Sequence, residues 1–303
     1  MTSAEPIVVG LGELLWDCFG ETRRPGGAPA NVAFHAQQHG NQGIVCSRVG
    51  QDDLGQELID VLAGKRLSTE SIQRDTQHPT GTVTVDTTEA DHPDYIIHEN
   101  VAWDFLQFDD SVRQLMQRAA AVCFGTLAQR MPQSRQTIQQ ALDCVRPDCL
   151  VVYDVNLRQK WYAREWIEAS LKRATIVKLN RDEVRVLSQL LFDRELTSRQ
   201  FAACVQESYG VQLVCVTLAE DGCELFEQAI SVRVPGVKVD VIDAVGAGDA
   251  FTATLISARL RGWPLDLSAR FANEVGALVA GQPGAMPDLA DRYAELVDRL
   301  QAG

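Results

Sequence analysis

Short apolar runs alternate with longer stretches of mixed apolar and polar residues along most of the chain. The first run, at residues 7–11, is continuous, which is typical of a buried strand. Further strands are predicted at 43–49, 121–125, 149–154, 175–179, 212–217 and 237–242, with hairpin-like pieces at 222–227 and 230–235. Helices are predicted at 30–40, 53–63, 132–146, 163–173, 181–191, 197–208, 248–261, 266–280 and 288–301. Strands separated by helices indicate an α/β fold with a mostly parallel sheet that helices cover on both faces.

Two stretches depart from this alternation and predict a second, smaller sheet. Residues 80–86 and 95–98 alternate apolar and polar positions with period two, and a polar turn at 89–94 separates them. This pattern predicts a hairpin, which we expect the extended stretch at 13–24 to join. The predicted organisation is a single domain over residues 1–303 with lid elements around 13–24 and 80–105.

The composition narrows the class of partner. The 303 residues are 46% hydrophobic and 23% charged, as in an ordinary globular protein, and the net charge is -13. A diffuse acidic excess disfavours nucleic acids and anionic membranes, because both reward basic patches. Eight scattered cysteines without a C-x-x-C pair indicate free thiols in a reducing compartment. The N-terminus lacks the pattern of a signal peptide, so we expect a cytoplasmic protein without a membrane or nucleic-acid partner.

The segment Asp243–Phe251 is the strongest candidate for chemistry. Gly246 and Gly248 stand at a predicted strand-to-helix turn, where backbone can approach a bound group and helix N–H groups point at it. A carboxylate at Asp249 would repel an anion. The position of this carboxylate is explained if it accepts a proton while the N–H groups stabilise a developing negative charge. The alternative is a glycine-rich turn whose Asp249 is an exposed first-turn residue favoured by the helix dipole.

Two other patterns are weaker. Gly10 and Gly12 begin a dinucleotide-binding fingerprint, but Leu15 stands where its third glycine is required. His35 and His39 have the spacing of a zinc-binding helix, but Ala36 replaces the glutamate of that motif. We therefore expect neither a nicotinamide site nor a zinc site.

Several spaced motifs together resemble one family along nearly the whole chain. In order they are Gly26–Ala33, Val49–Gly55, Asp154–Arg158, Asn180–Glu183 and Asp243–Phe251. In sequence and spacing they resemble the ribokinase-like (PfkB-type) carbohydrate kinases, most of all bacterial fructokinases. The resemblance implies a ribokinase-like three-layer α/β/α fold with a mostly parallel central sheet and a small β-sheet lid. It also implies an ATP-dependent kinase that phosphorylates a primary hydroxyl of a sugar.

The resemblance assigns roles at the phosphoryl-transfer end of the site. Asp249 matches the base that accepts the hydroxyl proton, and the N–H groups of Gly246, Ala247 and Gly248 match those that stabilise the transferring phosphoryl. Such enzymes position and neutralise rather than form covalent intermediates. Asn180 and Glu183 match the N-x-x-E motif that organises Mg²⁺ and its waters. For Asn180 a helix N-cap is the structural alternative.

On the sugar side, Asp17, Gly27 and Asn31 match positions that contact hydroxyls in the family. Arg158 follows a predicted strand and could reach the substrate or the phosphates, although a surface ion pair would explain it equally well. Trp103 belongs to the lid region and could pack on the apolar face of the sugar. The alternative for Trp103 is a core contact between lid and body.

On the nucleotide side, Thr217, Gly222 and Asn273 match positions that line the ATP site in relatives. Carbonyl groups of Asp243, Val245 and Gly284 match a site for a monovalent cation such as K⁺. Family members usually have Gly where Ala219 stands, and Thr is common at 244 and 245, where this chain has Ala and Val.

The motifs also favour one sugar. Pro25–Ala33 and Asp154–Trp161 look like the fructokinase forms, so fructose is the expected substrate. Ribose, a keto-sugar acid or a nucleoside stay open, and a sugar acid would require a cation, for which Arg158 is the candidate. A non-catalytic sensor would not need the Asp249 carboxylate. We also predict a homodimer formed through the lid sheet, because its exposed edges would otherwise pair unspecifically.

Overall fold

The computed structural model describes residues 5–86 and 94–302. The strands are β1 (Ile7–Leu11), β2 (Leu15–Phe19), β3 (Thr22–Gly26), β4 (Gln42–Gly50), β5 (Ile72–Asp75), β6 (Gly81–Asp86), β7 (Asp94–Ile97), β8 (Ala121–Phe124), β9 (Leu150–Asp154), β10 (Ile176–Asn180), β11 (Leu213–Thr217), β12 (Cys223–Glu227) and β13 (Ile230–Val234). The α-helices are α1 (Ala28–Gln38), α2 (Asp53–Gly64), α3 (Asp110–Arg118), α4 (Pro132–Leu142), α5 (Arg164–Leu171), α6 (Arg181–Phe192), α7 (Ser198–Tyr209), α8 (Ala247–Leu260), α9 (Leu265–Ala280) and α10 (Ala290–Ala302). Short 3-10 turns lie at Ala102–Phe105, Leu127–Gln129 and Ala219–Asp221.

Nine of these strands form the central sheet. Their order is β13-β12-β11-β10-β9-β8-β1-β4-β5, and the pairs from β5 to β11 are parallel. Only β12 and β13 add to the edge as antiparallel strands. Both faces of the sheet pack against apolar helix faces, so most strand side chains are buried. The predicted three-layer α/β/α arrangement is confirmed.

The remaining four strands form the small lid sheet in the order β3-β2-β6-β7. Strand β2 pairs antiparallel to β3 and parallel to β6, and β6 pairs antiparallel to β7. The pairing of the predicted hairpin strands is thus confirmed, with Val83 opposite Ile97. The predicted turn at 89–94 lies outside the described residues except for Asp94.

The predicted strand at 237–242 is wrong. These residues form neither strand nor helix, and Val237, Val239, Val241 and Ile242 are 39–66% exposed. The Ile242 N–H donates to the carbonyl of Ala280, at the end of α9, rather than to a neighbouring strand. Without a partner strand, a β-branched run does not become part of a sheet.

The parallel strands bring several candidate residues to one edge of the sheet. Asp154 ends β9, Asn180 ends β10 and Thr217 ends β11, and the strand register aligns Asn180 with Thr217. Helix α8 begins at the same edge and packs against α1 and α9. Ligands of open α/β sheets bind beyond the carboxyl ends of the strands, which places the candidate site here. No helix among residues 5–86 and 94–302 is long and apolar enough to cross a membrane.

Candidate active site

The turn before α8 can only be built with glycine at Gly246. Its φ of 81° and ψ of -10° lie in the left-handed region. A Cβ atom at Gly246 would lie 2.6 Å from the Cα of Ala285, so a side chain would clash with backbone. Among the described residues no side chain caps α8. The Ala247 N–H donates to the carbonyl of Ala244 over 3.3 Å, and the other N–H groups of this turn are oriented toward an anion at this edge of the sheet.

Asp249 lies partly buried in the first turn of α8. The side chain of Asn31, on α1, donates from Nδ2 to Oδ2 of Asp249 over 2.7 Å. Burial raises the pKa of Asp249 to about 6 and Asp154 raises it too, whereas the Asn31 hydrogen bond, Lys178 and Arg158 lower it. The carboxyl group is therefore ionised at neutral pH and close enough in pKa to accept a proton.

Behind this turn lies a buried ion pair, of which the sequence analysis singled out only one member. Lys178 Nζ is 3.1 Å and 3.0 Å from the two carboxylate oxygens of Asp154, and Thr252 Oγ1 donates to Asp154 Oδ2 over 2.8 Å. Burial lowers the pKa of Lys178, but neighbouring carboxylates, Asp154 first, raise it above its usual value. A Cβ atom on Gly248 would lie 3.2 Å from Nζ, which places an ammonium charge directly beside the turn.

The predicted sugar-contacting residues gather beside α1. Gly27 has a φ of 112°, and a Cβ atom there would lie 2.5 Å from the carbonyl oxygen of Glu13. Asp17 projects from the lid strand β2, and burial raises its pKa to about 6, against the lowering effect of Arg158. Arg158 is exposed just beyond β9. Asn31 completes this group through its bond to Asp249.

Glu13 is a further residue of this group that sequence reasoning missed. Its side chain is buried, its Oε2 has no hydrogen-bond partner, and burial raises its pKa to about 7. The one signal in the sequence is a charged residue between the apolar run at 7–11 and the pair Leu14 and Leu15.

Trp103 does not line a sugar site in this arrangement. It lies in the 3-10 turn Ala102–Phe105 and is 1% exposed. The guanidinium carbon of Arg130 lies 4.1 Å from the centroid of its ring. The expectation that its ring packs on a sugar is corrected to the alternative, a core contact at the base of the lid, because no ring surface is left for a ligand.

A cavity of about 870 Å³ adjoins the turn at the start of α8. Six predicted residues line it: Asn180, Thr217, Gly222, Ala247, Gly248 and Asn273. One wall is formed by the irregular segment 237–241, and Phe251, Gly276 and Ala280 contribute apolar surface. The exposed valines of that segment therefore face a cavity large enough for a nucleotide.

Asn180 and Glu183 form a reciprocal capping box at the start of α6. The Glu183 N–H donates to Asn180 Oδ1 over 2.9 Å, and the Asn180 N–H donates to Glu183 Oε2 over 2.8 Å. Glu183 Oε1 also accepts from the Leu157 N–H over 2.7 Å. Burial raises the pKa of Glu183, although these hydrogen bonds and Lys178 lower it. The predicted capping alternative holds, and each carboxylate oxygen keeps a second lone pair for a water of a hydrated Mg²⁺.

The three residues of the predicted monovalent-cation site are close together. Asp243 accepts from the Val245 N–H over 3.0 Å at Oδ1 and from the Gly284 N–H over 3.1 Å at Oδ2. Arg24 of β3 also donates to Asp243 Oδ2 over 2.9 Å, which ties the lid sheet to this loop. The carboxylate is therefore engaged by donors, so a cation here would have to use carbonyl oxygens. No cluster of His, Cys, Asp and Glu side chains suited to a metal occurs in the part of the chain that the structure describes.

Comparison with known proteins assigns the chain to a family. The family described as pfkB family carbohydrate kinase matches residues 5–292. The chain belongs to this family. This pfkB family member is therefore a carbohydrate kinase, a phosphotransferase with an alcohol group as acceptor.

Individual relatives place this pfkB kinase more closely. It is 31% identical over 298 residues to the Pyrococcus horikoshii protein "Putative sugar kinase PH1459", covering 92% of this chain and 91% of that protein. The crystal structure of this relative in complex with ATP matches with a TM-score of 0.81 at 29% identity, over 96% of this chain and 99% of that chain.

Two fructokinases are also similar to this pfkB kinase. The Arabidopsis thaliana protein "Probable fructokinase-6, chloroplastic" is 28% identical over 325 residues, covering 97% of this chain and 82% of that protein. A double mutant of the Vibrio cholerae fructokinase, in fructose, ADP and potassium ion bound form, has a TM-score of 0.81 at 24% identity, over 97% and 99% of the two chains.

One departure of this pfkB kinase from the usual family pattern has a backbone consequence. Ala219, where glycine is usual, has a φ of 51° and lines the nucleotide-sized cavity. The left-handed region costs a residue with a Cβ atom about 1–2 kcal/mol relative to the right-handed one. The turn is therefore built here at some backbone strain.

Proposed function

We propose that the protein transfers the γ-phosphoryl group of ATP to a primary hydroxyl of a sugar, with fructose as the acceptor. One observation carries the proposal. Asp249 presents an ionised carboxylate in the first turn of α8, held by Asn31, between the group of sugar-side residues and the cavity lined by Ala247 and Gly248. A base and an anion hole thus meet at the boundary of two binding regions.

The chemistry follows from this placement. The Asp249 carboxylate takes the proton of the sugar hydroxyl as the hydroxyl oxygen forms its bond to the γ-phosphorus. The bond from that phosphorus to the bridging oxygen breaks, and ADP leaves with the electron pair. The N–H groups of Gly246, Ala247 and Gly248, with the Lys178 ammonium beside them, stabilise the charge on the transferring oxygens.

The phosphate end has groups that fit the expected ions. Asn180 and Glu183 would hold Mg²⁺ through its waters, and that ion would neutralise phosphate charge. Carbonyl groups of Asp243, Val245 and Gly284 would hold K⁺, a proposal supported by the potassium-bound fructokinase of Vibrio cholerae. In the adjoining cavity Thr217, Gly222 and Asn273 would bind the nucleotide; PH1459, a relative, has been solved with ATP.

The charges around the sugar region favour a neutral acceptor. Glu13, Asp17 and Asp249 are three carboxyl groups within the electrostatic reach of a single guanidinium, that of Arg158. A negatively charged substrate, such as a keto-sugar acid or a sugar phosphate, would be repelled by these carboxylates. The fructokinase-like motifs and the 28% identity to a protein named as a fructokinase support fructose among neutral sugars.

The test measures ATP consumption with fructose, ribose, a nucleoside, a keto-sugar acid and fructose 6-phosphate. We expect fructose to be preferred, and Asp249→Asn to reduce kcat by about 100-fold to 10,000-fold through loss of the base. Asp148→Asn, at an exposed carboxylate remote from the site, is the matched control and keeps wild-type turnover. Intact turnover in Asp249→Asn contradicts the role of Asp249, and a wild-type protein that consumes no ATP with any acceptor contradicts the kinase proposal.

We also propose that two copies associate through the lid sheet. Strands β3 and β7 are its two edges, and Ile96 on β7 is a large apolar side chain that is 54% exposed. Open strand edges with apolar side chains favour pairing with another chain.

The cysteines support a cytoplasmic location. All eight are free, at positions 18, 46, 123, 144, 149, 204, 215 and 223. Unpaired thiols are typical of proteins kept in a reducing compartment.

A further inference from the structure

Two buried acceptor atoms lie unsatisfied beside Asp249. Glu13 Oε2 and Asn31 Oδ1 have no hydrogen-bond partner, and both residues are only 4% exposed. Buried acceptors in folded proteins nearly always have a hydrogen-bond donor, because burial without one costs the free energy of desolvation and no hydrogen bond offsets it. The two atoms therefore indicate that a donor-bearing group belongs here.

The backbone explains why both atoms border the same space. Glu13 follows β1 at the carboxyl edge of the sheet, and its carbonyl contacts the position that a Cβ of Gly27 would occupy. The N–H of Ala28, at the start of α1, interacts with the Glu13 carboxyl group. Ala28 and Asn31 are three residues apart and share one face of α1. Asn31 in turn holds Asp249.

The charged groups around Glu13 come from two other elements. Arg158 approaches from the loop after β9, and Asp249 from the first turn of α8. Burial raises the pKa of Glu13 to about 7; its own backbone N–H, Arg158 and Ala28 lower it, and Asp249 raises it. The group therefore changes from mostly neutral to mostly ionised across the physiological range.

We propose that the Glu13 carboxyl group binds a second hydroxyl of the sugar, one other than the hydroxyl that is phosphorylated. The inference rests on the proposed sugar kinase activity and adds a specificity-determining residue to it. Two unsatisfied acceptors flanking the base require an acceptor substrate with more than one hydroxyl donor. Glu13 and Asn31 together then select polyhydroxy compounds over simple alcohols.

A purely structural role for Glu13 would give a different dependence of KM on the acceptor. If its carboxyl group served only to hold Ala28 at the start of α1, removal of its charge would weaken every acceptor equally. A direct contact weakens only acceptors that carry the matching hydroxyl. Monodeoxy analogues of the preferred sugar separate these two cases.

The experiment compares the wild type with Glu13→Gln on the preferred sugar and on its monodeoxy analogues. Replacement of a charged acceptor by a neutral one should raise KM about fivefold to tenfold. That penalty should disappear for one analogue, the one that lacks the hydroxyl bound by Glu13. The control is Glu227→Gln, which makes the same chemical change at a β12 glutamate paired with Arg259 of α8. This variant should leave KM unaltered.

A second measurement uses the wild type alone. The KM for the preferred sugar should rise as the pH falls through about 7, because Glu13 becomes protonated, whereas the KM for the matching analogue should not. Equal penalties for all analogues, or parallel pH profiles, would overturn the contact. Absence of turnover with every sugar in the wild type would instead contradict the proposed function, so the two failures are distinguishable.

Discussion

At Asp249, burial and hydrogen bonding act in opposite directions on one carboxyl group. Burial and the Asp154 charge raise its pKa, and Asn31, Lys178 and Arg158 lower it, with a result of about 6. A base of this pKa is ionised in neutral solution and still has affinity for a proton. In the proposed reaction, the buried pair of Asp154 and Lys178 would therefore act on the Asp249 base through charge.

This balance predicts the pH dependence of the reaction. The base must be ionised to accept a proton, so activity is present above the pKa and is lost as the pH falls through about 6. We expect kcat to fall about tenfold per pH unit well below that point. Asn31→Ala removes a bond that favours the ionised form, so its acid limb should move to higher pH. An acid limb that stays in place in Asn31→Ala would contradict this account of the Asp249 pKa.

Sequence reasoning located residues whose chemistry is local, and missed those whose chemistry depends on neighbouring strands. Spacing within a few residues is sufficient to predict the turn around Asp249 and the capping pair of Asn180 and Glu183. In the sequence, Lys178 is a single charged residue within an apolar strand. Its partner Asp154 lies opposite it on the neighbouring strand β9, which the sequence alone does not indicate. Glu13 likewise has its buried position beside Asp249 only when α1 packs over the end of β1.

Among the elements, regular periodicity was sufficient where capping residues reinforced it. Helices α6 and α7 were predicted, and both begin with reciprocal capping boxes. Strand β5 and helix α3 were missed, because the four residues of β5 include a single apolar one and most of α3 is polar. The apolar segment at 237–242 is the opposite case: its composition predicts a strand, but residues 237–241 line the cavity next to α8 instead of pairing with a strand.

One buried ion pair connects two of the short turns. Arg130, after the turn Leu127–Gln129, donates from Nε and Nη2 to the two oxygens of Asp104 in the turn Ala102–Phe105, over 2.7 Å and 2.8 Å. Both side chains are fully buried. The pair therefore fixes the base of the lid against the central domain.

Removing one partner of this pair should be costly. Arg130→Met leaves the Asp104 carboxylate buried without a counter-charge, which costs about 3–5 kcal/mol in the free energy of unfolding. The double variant Arg130→Met with Asp104→Leu should recover much of that loss. Arg146→Met breaks an exposed pair and should cost below about 1 kcal/mol. Urea denaturation measures all three, and equal losses for Arg130→Met and Arg146→Met would contradict the role of burial.

At the scale of the whole molecule, both sheets carry a large exposed apolar residue on an edge strand. The central sheet ends in β5 and β13, with Ile230 of β13 59% exposed, and the lid sheet ends in β3 and β7, with Ile96 of β7 54% exposed. The lid is connected to the domain below through contacts such as the Arg24 to Asp243 ion pair. A partner copy on the lid would thus also influence the position of the catalytic loop.

The proposed dimer can be tested with two matched substitutions. Light scattering of the wild type should give a mass about twice that of the 33.3 kDa chain. Ile96→Lys on the lid should shift the population toward monomer, because a charge would be buried at the interface. Ile230→Lys, at a residue 59% exposed on β13, should leave the dimer intact. A strictly monomeric wild type, or dissociation caused by Ile230→Lys alone, would contradict association through the lid.

The irregular segment 237–242 has a consequence for the survival of the protein. Its residues belong to neither strand nor helix, and its apolar side chains are exposed. Exposed irregular segments are preferred sites of proteolytic cleavage. A bound nucleotide would cover it and stabilise the native state in proportion to its concentration. The lifetime of this enzyme in a cell would then follow the supply of ATP.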